Sequence, residues 1–173
     1  MNTPKVTIGL INPKSPTNVG AVLRAAGCFR ADAVNYTGKR YNQAKRYHTD
    51  TKNRIETIPL TGMDCLLENC PTNTSVVCIE LVENAVSLHQ FKHPDNAYYI
   101  FGPEDGTINQ EIIDQADTVV YIPTIGCMNL AATVNVVLYD RLVKSKDLIA
   151  NNQLITQSKD VNNCIKIRKT TEK

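Results

Sequence analysis

Five short runs of mostly apolar residues, rich in β-branched and aromatic side chains, constrain the fold of this 173-residue chain more than any other feature. They are KVTIGLI (5–11), AVNYT (33–37), SVVCIEL (75–81), AYYIF (97–101) and TVVYI (118–122). Runs of this length predict strands, and near-continuous apolarity is typical of strands covered on both faces. Helical patterns lie between them. We therefore predict an α/β fold, a mostly parallel sheet with helices on both faces.

Four segments carry the helical patterns. They are residues 17–29, residues 61–69 with Thr61 as N-cap, residues 107–116 with Thr107 and Gln110 spaced as a capping box, and a long helix from about 129 to 148. The polar tail after about residue 150 loses this periodicity, which predicts a weak helix or a frayed extension. We expect one domain, residues 1–150, followed by a C-terminal extension, residues 151–173.

Charge and cysteine content restrict the class of protein only loosely. A net charge of +2 does not by itself call for nucleic acid, so local clustering matters more than the sum. The six cysteines have no paired metal-binding spacing, and Cys28 and Cys78 lie in apolar runs typical of core residues. Reduced thiols and a cytoplasmic location are expected. The N-terminal apolar run is too short for a secretion signal or a membrane span.

The segment YTGKRYNQAKRYHTDTKNR (36–54) interleaves basic side chains with tyrosines. Basic groups next to stacking rings suit a single-stranded or looped RNA, whereas the alternative is a solvated loop. The candidate RNA-binding residues are Lys39, Arg40, Lys45 and Arg46, and the candidate stacking rings are Tyr36, Tyr41 and Tyr47.

The stretch TNVGAVLRAAGCF (17–29) places an arginine in an otherwise apolar helix. At helical spacing the neighbours of Arg24 are Gly20, Ala21, Gly27 and Cys28, a strip of small residues. Because each glycine costs a helix about 1 kcal/mol relative to alanine, the strip indicates that some group approaches this backbone closely. The alternative is that a neighbouring element packs here and Arg24 reaches a carboxylate or solvent.

The stretch IFGPEDGTINQEI (100–112) leads from a strand through a glycine-bearing turn into a helix. Open α/β sheets bind ligands at such turns, although no dinucleotide or P-loop motif is present. Because Glu104 and Asp105 would repel a phosphate held by the turn, a neutral or cationic ligand fits better. The alternative is an ordinary turn in which glycine supplies a positive φ.

The stretch YIPTIGCMNLAATVNVVLYDRLV (121–143) runs from a strand end through a Pro and Gly loop into the long helix. Asn129, in the first turn, is placed to cap exposed amides. The apolar surface of the helix is broad, and includes Leu130, Val134 and Val137. Such breadth predicts burial against the sheet and against a second subunit.

Taken in order, NVGAVLRAAGCF, FGPEDGTI and IPTIGCMNLAATVNVVLYD resemble the three motifs of the SpoU (TrmH) family of RNA ribose methyltransferases, over residues from about 5 to about 145. The resemblance implies a SPOUT fold with a deep C-terminal trefoil knot and an enzyme that methylates a ribose 2′-hydroxyl. It implies S-adenosylmethionine as methyl donor, no metal, and a homodimer. With no separate RNA-binding domain before the first strand, tRNA is favoured over rRNA. Neither DNA nor a membrane is an expected partner.

The motifs also imply site residues. The implied catalytic residues are Arg24, Asn18, Glu104 and Asn129, and the implied cofactor-binding residues are Glu80, Leu81, Gly102, Ile122, Cys127, Met128 and Leu130. In this reading Arg24 binds an RNA phosphate and stabilises the developing alkoxide. Asn18 positions the ribose or the arginine, and Glu104 organises the site or the dimer.

Cys127 departs from the family pattern, which usually has serine there. Because a thiol is a weaker hydrogen-bond donor than a hydroxyl, the departure leaves a second hypothesis, an RNA-binding protein that kept the fold and lost turnover. A third hypothesis, a flavodoxin-like nucleotide-binding domain, accounts for the α/β pattern. It assigns no common role to Arg24, Glu104 and Asn129.

Overall fold

The computed structural model describes residues 5–45, 58–68, 70–146 and 148–167. Its centre is a seven-stranded sheet in which every neighbouring pair of strands is parallel. The strands are β1 (Val6–Leu10), β2 (Ala33–Tyr36), β3 (Leu60–Gly62), β4 (Ser75–Ile79), β5 (Val86–Ser87), β6 (Ala97–Phe101) and β7 (Thr118–Tyr121), in the spatial order β3-β2-β1-β6-β4-β7-β5. The predicted α/β class is confirmed.

Helices cover both faces of the sheet. They are α1 (Pro16–Cys28), α2 (Arg40–Lys45), α3 (Gln110–Asp114), α4 (Leu130–Lys144) and α5 (Asn152–Ser158), with a 3-10 turn at Leu88–Gln90. On one face α1 packs against α4, and on the other α3 and the turns around Leu66 cover a second, smaller core. In the described part of the chain, no helix has the length and apolarity needed to cross a membrane.

The helix α1 matches the predicted segment 17–29 closely. It begins one residue earlier because the Ser15 side chain accepts the Asn18 amide, and Pro16 fits the first turn, where its missing N–H costs nothing. Its buried residues lie at helical spacing on one face: Val19, Val22, Leu23, Ala25 and Ala26. The prediction that Cys28 is a core residue is wrong, since this last residue of α1 faces away from that stripe and is exposed. Cys78, in the middle of β4, is fully buried as predicted.

The predicted helix 61–69 is wrong. Residues Leu60–Gly62 instead extend the sheet beside β2, and the amide of Met63 donates to the Tyr36 carbonyl at 2.9 Å. The residues that follow are turns whose apolar side chains, Leu66 and Leu67 among them, pack onto the second core. The helical spacing therefore identified buried residues, but pairing with an open strand edge outweighed the local preference for a helix.

Two other helix boundaries differ from the predictions. The helix predicted at 107–116 is the short α3, and its N-cap is Asn109, whose side chain accepts the Ile112 amide at 3.2 Å, so the capping box at Thr107 and Gln110 does not form. The long helix α4 ends at Lys144, four residues before the predicted end. In the tail, α5 is short and exposed on all sides.

The register of the sheet brings four loops to one edge. Leu10 at the end of β1 pairs with Phe101 at the end of β6, and Phe101 pairs with Ile79 at the end of β4. Ile79 in turn pairs with Val120 of β7. Because all these strands are parallel, the loops that follow them leave the sheet side by side. The three sequence motifs lie in these loops and in the helices α1 and α4 that follow two of them.

Candidate active site at the carboxyl ends of the central strands

Glu104, in the loop after β6, binds the start of α1. Its carboxylate accepts the backbone amides of Lys14 at 2.8 Å and Ser15 at 3.1 Å. Burial raises the pKa of Glu104, but hydrogen bonds from the Lys14 backbone, from its own backbone, and from Asn18 and Ser15 together outweigh burial and hold the pKa below its usual value. The carboxylate is therefore ionised at neutral pH and fixes the β6 loop against the loop after β1.

A chain of side-chain hydrogen bonds joins the three motifs. Asn18 donates through Nδ2 to Glu104 Oε1 at 3.2 Å, and its Oδ1 accepts from Asn129 Nδ2 at 3.0 Å. Asn129 is at the same time the N-cap of α4, since its Oδ1 accepts the amides of Ala131 and Ala132. Three of the four predicted catalytic residues are thus in direct contact. The predicted capping role of Asn129 is confirmed, and the bond to Asn18 adds a second role to it.

Arg24 lies further along α1, and its side chain is exposed. The strip of small residues next to it is open in the described structure. A Cβ built on Gly20 would meet nothing within 4 Å, and one on Gly27 would only reach Ile58 at 4.0 Å. The close approach predicted from the two glycines is not made by the described part of this chain. The catalytic role of Arg24 stays a prediction.

A solvent-open cleft lies beside this hydrogen-bond chain and encloses about 720 Å³, counting the space that is open to water. All seven predicted cofactor-binding residues line it: Glu80, Leu81, Gly102, Ile122, Cys127, Met128 and Leu130. Seven further residues line the cleft although the sequence did not predict them to bind the cofactor: Ile79, Phe101, Pro103, Glu104, Gly106, Thr124 and Thr133. Their shared signal is that they follow or end parallel strands, or lie in the first turn of α4.

Local contacts shape the walls of the cleft. The Glu80 carboxylate accepts the backbone amides of Leu81 at 2.9 Å and Ile108 at 3.0 Å, so it ties the end of β4 to the loop before α3. Gly102 lies so close that a Cβ would stand 3.3 Å from Glu80 Oε2. Glycine is favoured there by this close approach and not by its backbone angles, since Gly102 is not among the positive-φ glycines of the described residues. The described ranges contain no group of His, Cys, Asp or Glu arranged to hold a metal ion.

The basic segment is only partly described. Lys39 is exposed, whereas Arg46 and Tyr47 lie outside the described residues, as does the side chain of Lys45. Arg40 is bound within the protein, with Nη1 donating to both carboxylate oxygens of Asp105 at 2.7 and 2.9 Å.

The prediction that Tyr36 and Tyr41 stack on bases is wrong. Both rings are buried, 8% and 6% exposed, and pack edge to face with centroids 5.0 Å apart. Tyr36 also donates through its hydroxyl to Asn42 Oδ1 at 2.7 Å. Both rings belong to the core between α2 and the sheet, because burying an aromatic ring stabilises the fold.

Comparison with solved structures finds the same fold at low identity. A TrmH/SpoU tRNA modifying enzyme from A. aeolicus is 16% identical, with 82% of this chain and 75% of that chain covered, at a TM-score of 0.65. A structure described as "Structural insights into the 2-OH methylation of C/U34 on tRNA" is 20% identical, with 83% and 92% covered, at a TM-score of 0.66. An AdoMet-bound rRNA methyltransferase from Sinorhizobium meliloti is 18% identical, with 81% and 56% covered, at a TM-score of 0.64. At this identity the likeness establishes the fold.

No curated protein matches the sequence. The sequence profile of the SpoU rRNA Methylase family matches residues 5–139, which include all three motifs and the hydrogen-bond chain that joins them. Since this match covers most of the 173 residues, the chain belongs to the SpoU rRNA Methylase family.

Proposed function

We propose that this protein is an S-adenosylmethionine-dependent RNA methyltransferase that acts on a ribose 2′-hydroxyl, with tRNA as the favoured substrate. The observation that carries the proposal is the hydrogen-bond chain from Asn129 through Asn18 to Glu104, next to the cleft. These hydrogen bonds bring residues of three motifs that are far apart in the sequence into one site. Family membership supplies the RNA methylation chemistry.

The charges of the cleft support this cofactor. Its lining includes two carboxylates, Glu80 and Glu104, and, among the residues that the structure describes, no Lys, Arg or His. Negative lining favours a cationic ligand such as a sulfonium and disfavours a nucleotide phosphate, which argues against the flavodoxin-like alternative. The apolar side chains of Leu81, Ile122 and Leu130 would hold an adenine ring, and the loop backbones would read its edge. AdoMet is bound by the S. meliloti neighbour, whose fold this chain shares.

When bound, S-adenosylmethionine would supply an activated methyl group on sulfur. The protein must then orient the ribose hydroxyl and stabilise its oxygen as the proton leaves. Arg24, exposed on the open strip of α1, is suited to bind an RNA phosphate and the developing negative charge. Because guanidinium groups stay protonated in proteins, we assign the proton to water or to the RNA phosphate rather than to Arg24.

The preference for tRNA is supported by the neighbour described for tRNA position 34, since this chain matches 92% of that chain's length. Lys39, which is exposed, would contribute a contact to the RNA backbone. The cytoplasmic location expected from the cysteines belongs to the same proposal.

We also propose that the C-terminal part of the domain forms the trefoil knot of the family. The strand β7 lies between β4 and β5, although β5 precedes it in sequence. The segment after β5 is bound to α4, where Lys144 Nζ donates to the Leu88 carbonyl at 2.6 Å and Arg141 donates to the Pro94 carbonyl at 2.6 Å. An experimental structure tests the threading: α4 must pass through the loop that joins β4 to β6.

A homodimer is the third part of the proposal. Tyr139 and Val143 on α4 are 60% and 45% exposed, and the Tyr139 ring packs edge to face with Phe29 after α1. Apolar side chains on two adjacent helices form a surface that a second copy of the chain would bury.

The decisive experiment compares nucleosides from cells that contain or lack the protein. Mass spectrometry of total tRNA and rRNA digests should show the loss of a single 2′-O-methylnucleoside from the tRNA pool. Loss from rRNA instead would overturn the substrate assignment and keep the reaction, and unchanged 2′-O-methylation in both pools would contradict the reaction itself.

Calorimetry with S-adenosylmethionine separates the enzyme from an RNA-binding protein that has lost turnover, the alternative raised by Cys127. The enzyme should bind the cofactor with a dissociation constant well below about 1 mM, within the usual range of enzyme ligands. Absence of binding at millimolar cofactor would favour the inactive alternative.

A further inference from the structure

Arg40 lies at the centre of a cluster of charges that the proposed function does not use. Its guanidinium donates through Nη1 to both oxygens of Asp105, and through Nε and Nη2 to the backbone carbonyl of Asn12, with the Nε contact at 3.0 Å. Lys14 approaches the same Asp105 carboxylate at 3.8 Å. Arg40 therefore connects the loops after β1, β2 and β6 at the edge of the sheet where the cleft opens.

The loops that Arg40 connects hold an uncommon backbone conformation. Asn12 has a φ of +43°, and Gly38, which packs against it, has a φ of +79°. A Cβ on Gly38 would stand 2.2 Å from Asn12 Oδ1, and this buried oxygen accepts no hydrogen bond within the described structure. A left-handed asparagine persists only where its surroundings hold it, and Arg40 supplies the two donors that fix its carbonyl.

The contact with Asp105 extends this hold to the candidate active site. Asp105 directly follows Glu104, and both carboxylates are bound to the loop after β1. Glu104 accepts the Lys14 and Ser15 amides, and Asp105 is connected to Asn12 through Arg40. The Arg40 guanidinium also holds the pKa of the Asp105 carboxyl below its usual value. With a bidentate carboxylate and a carbonyl as partners, the guanidinium has little capacity left for an RNA phosphate.

We infer that Arg40 is a positioning residue of the candidate active site. By binding both Asp105 and the carbonyl of Asn12, Arg40 holds Glu104 in the position where Glu104 binds Asn18 and the start of α1. This role replaces the direct RNA contact predicted from the sequence. Its kinetic consequence rests on the proposed function, but its structural consequence does not.

Hydrogen exchange followed by mass spectrometry tests the structural consequence. In Arg40→Ala and in Asp105→Asn, amide exchange of peptides covering residues 11–18 and 102–108 should rise about two- to fivefold, as expected for the loss of a partly exposed ion pair. Peptides of β4 should be unchanged, and so should all peptides in the matched control Gln43→Ala, an exposed residue of the same helix. The double variant should exchange no faster than Arg40→Ala, because that variant already loses the contact with Asp105 together with the contact with Asn12. Unchanged exchange in both loops would overturn the inference.

Kinetics with tRNA from cells lacking the protein separate positioning from RNA contact. Arg40→Ala and Asp105→Asn should both lower kcat about tenfold through misplacement of Glu104, with little change in KM for tRNA. A rise in KM alone, shared by Arg40→Ala and Lys39→Ala but absent in Asp105→Asn, would restore the RNA-contact role and overturn the inference. If wild-type protein transfers no methyl group, the proposed function fails, and hydrogen exchange still decides the role of Arg40.

Discussion

At the scale of single residues, Glu104 gives the site a measurable dependence on pH. The pKa of its carboxyl is held below the ordinary 4.5 in the folded protein, so its hydrogen bonds contribute fully to stability above that pH and are lost as pH falls through the lower folded value. We expect Glu104→Gln to reduce the free energy of unfolding by about 1 kcal/mol near pH 7, a modest value because solvent screens this partly exposed group.

The difference between wild type and Glu104→Gln should shrink as the pH falls below 4.5 and through the lowered pKa of Glu104, where the wild-type carboxyl gains a proton. Urea unfolding at several pH values measures it. Glu83→Gln, at an exposed turn position, serves as the control and should match wild type throughout. A constant gap between Glu104→Gln and wild type at every pH would mean that the ionised form is not what binds the α1 amides.

Arg24 is the residue whose predicted role depends on a molecule other than this chain. Arg24→Lys keeps the charge and loses the planar fork, and Arg24→Ala loses both. We expect both variants to lower kcat at least about 100-fold, the usual cost of removing a donor that stabilises developing charge. Cofactor binding should be retained because Arg24 does not line the cleft.

Methyl transfer to tRNA with radiolabelled cofactor measures this effect, and Arg30→Ala, an exposed arginine just beyond α1, is the matched control. Near-normal turnover by both Arg24 variants would sink the catalytic role. An equal loss in Arg30→Ala would instead assign the effect to the general basic charge of this surface.

At the scale of elements, α4 is held to the segment after β5 by a half-buried polar cluster. His93 binds the Tyr99 hydroxyl through Nδ1 at 2.6 Å and the Asp140 carboxylate through Nε2 at 2.9 Å. Arg141 donates to the same Tyr99 hydroxyl at 3.1 Å. Burial raises the pKa of Tyr99 to about 12, so this hydroxyl keeps its proton across the physiological range.

The pKa of His93 predicts how this cluster responds to acid. Burial lowers it below 6.5, and the neighbouring Asp140 only partly opposes this effect. Because the folded value lies below the unfolded one, the stabilisation is complete above about pH 6.5 and is lost as pH falls through the folded value. We expect the free energy of unfolding of wild type to fall as the pH drops below about 6.5, and His93→Gln to lose part of that decrease. His89→Gln, at an exposed position, should keep it.

The elements also define what the sequence could and could not predict. Continuous apolar runs identified five strands, since a strand buried on both faces has no polar face to interrupt it. The same apolar composition gives no information on strand register or on the order of strands in the sheet, because all five runs are alike in their residue types. The insertion of β7 between β4 and β5 was therefore not predictable from periodicity. The short strand Leu60–Gly62 was missed because its helical spacing is real and its strand neighbour is distant in sequence.

The candidate site could likewise be predicted only in part. Motif residues pointed to Asn18, Glu104 and Asn129, which the fold brings into contact. The pairing of Arg40 with Asp105 was not predictable, since the two lie 65 residues apart and meet only through the order of the strands. A basic residue in a basic segment predicts an RNA contact, and the Asp105 carboxylate that binds Arg40 in the fold changes that interpretation.

At the scale of the whole molecule, we propose that a second copy of the chain covers the exposed apolar side chains of α4. Val143 is 45% exposed, and Tyr139, although it contacts Phe29, remains 60% exposed. Exposed apolar residues occur singly on most proteins, but Tyr139 and Val143 lie one turn apart on α4, and Tyr139 contacts Phe29 at the end of α1. A two-fold contact through this surface would bury the same residues on both copies.

This surface predicts a dimer that specific charges should dissociate. Sedimentation equilibrium at about 10 µM should give twice the mass of one chain for wild type and the mass of one chain for the variant carrying Tyr139→Asp and Val143→Asp, since a buried unpaired carboxylate costs several kcal/mol at an interface. Val161→Asp, at a 93% exposed position of the tail, is the control and should remain dimeric. If dissociation also abolishes methyl transfer while calorimetry still detects cofactor binding, the second copy contributes to the RNA side of the site. A wild-type monomer that is fully active would instead show that each chain carries a complete site.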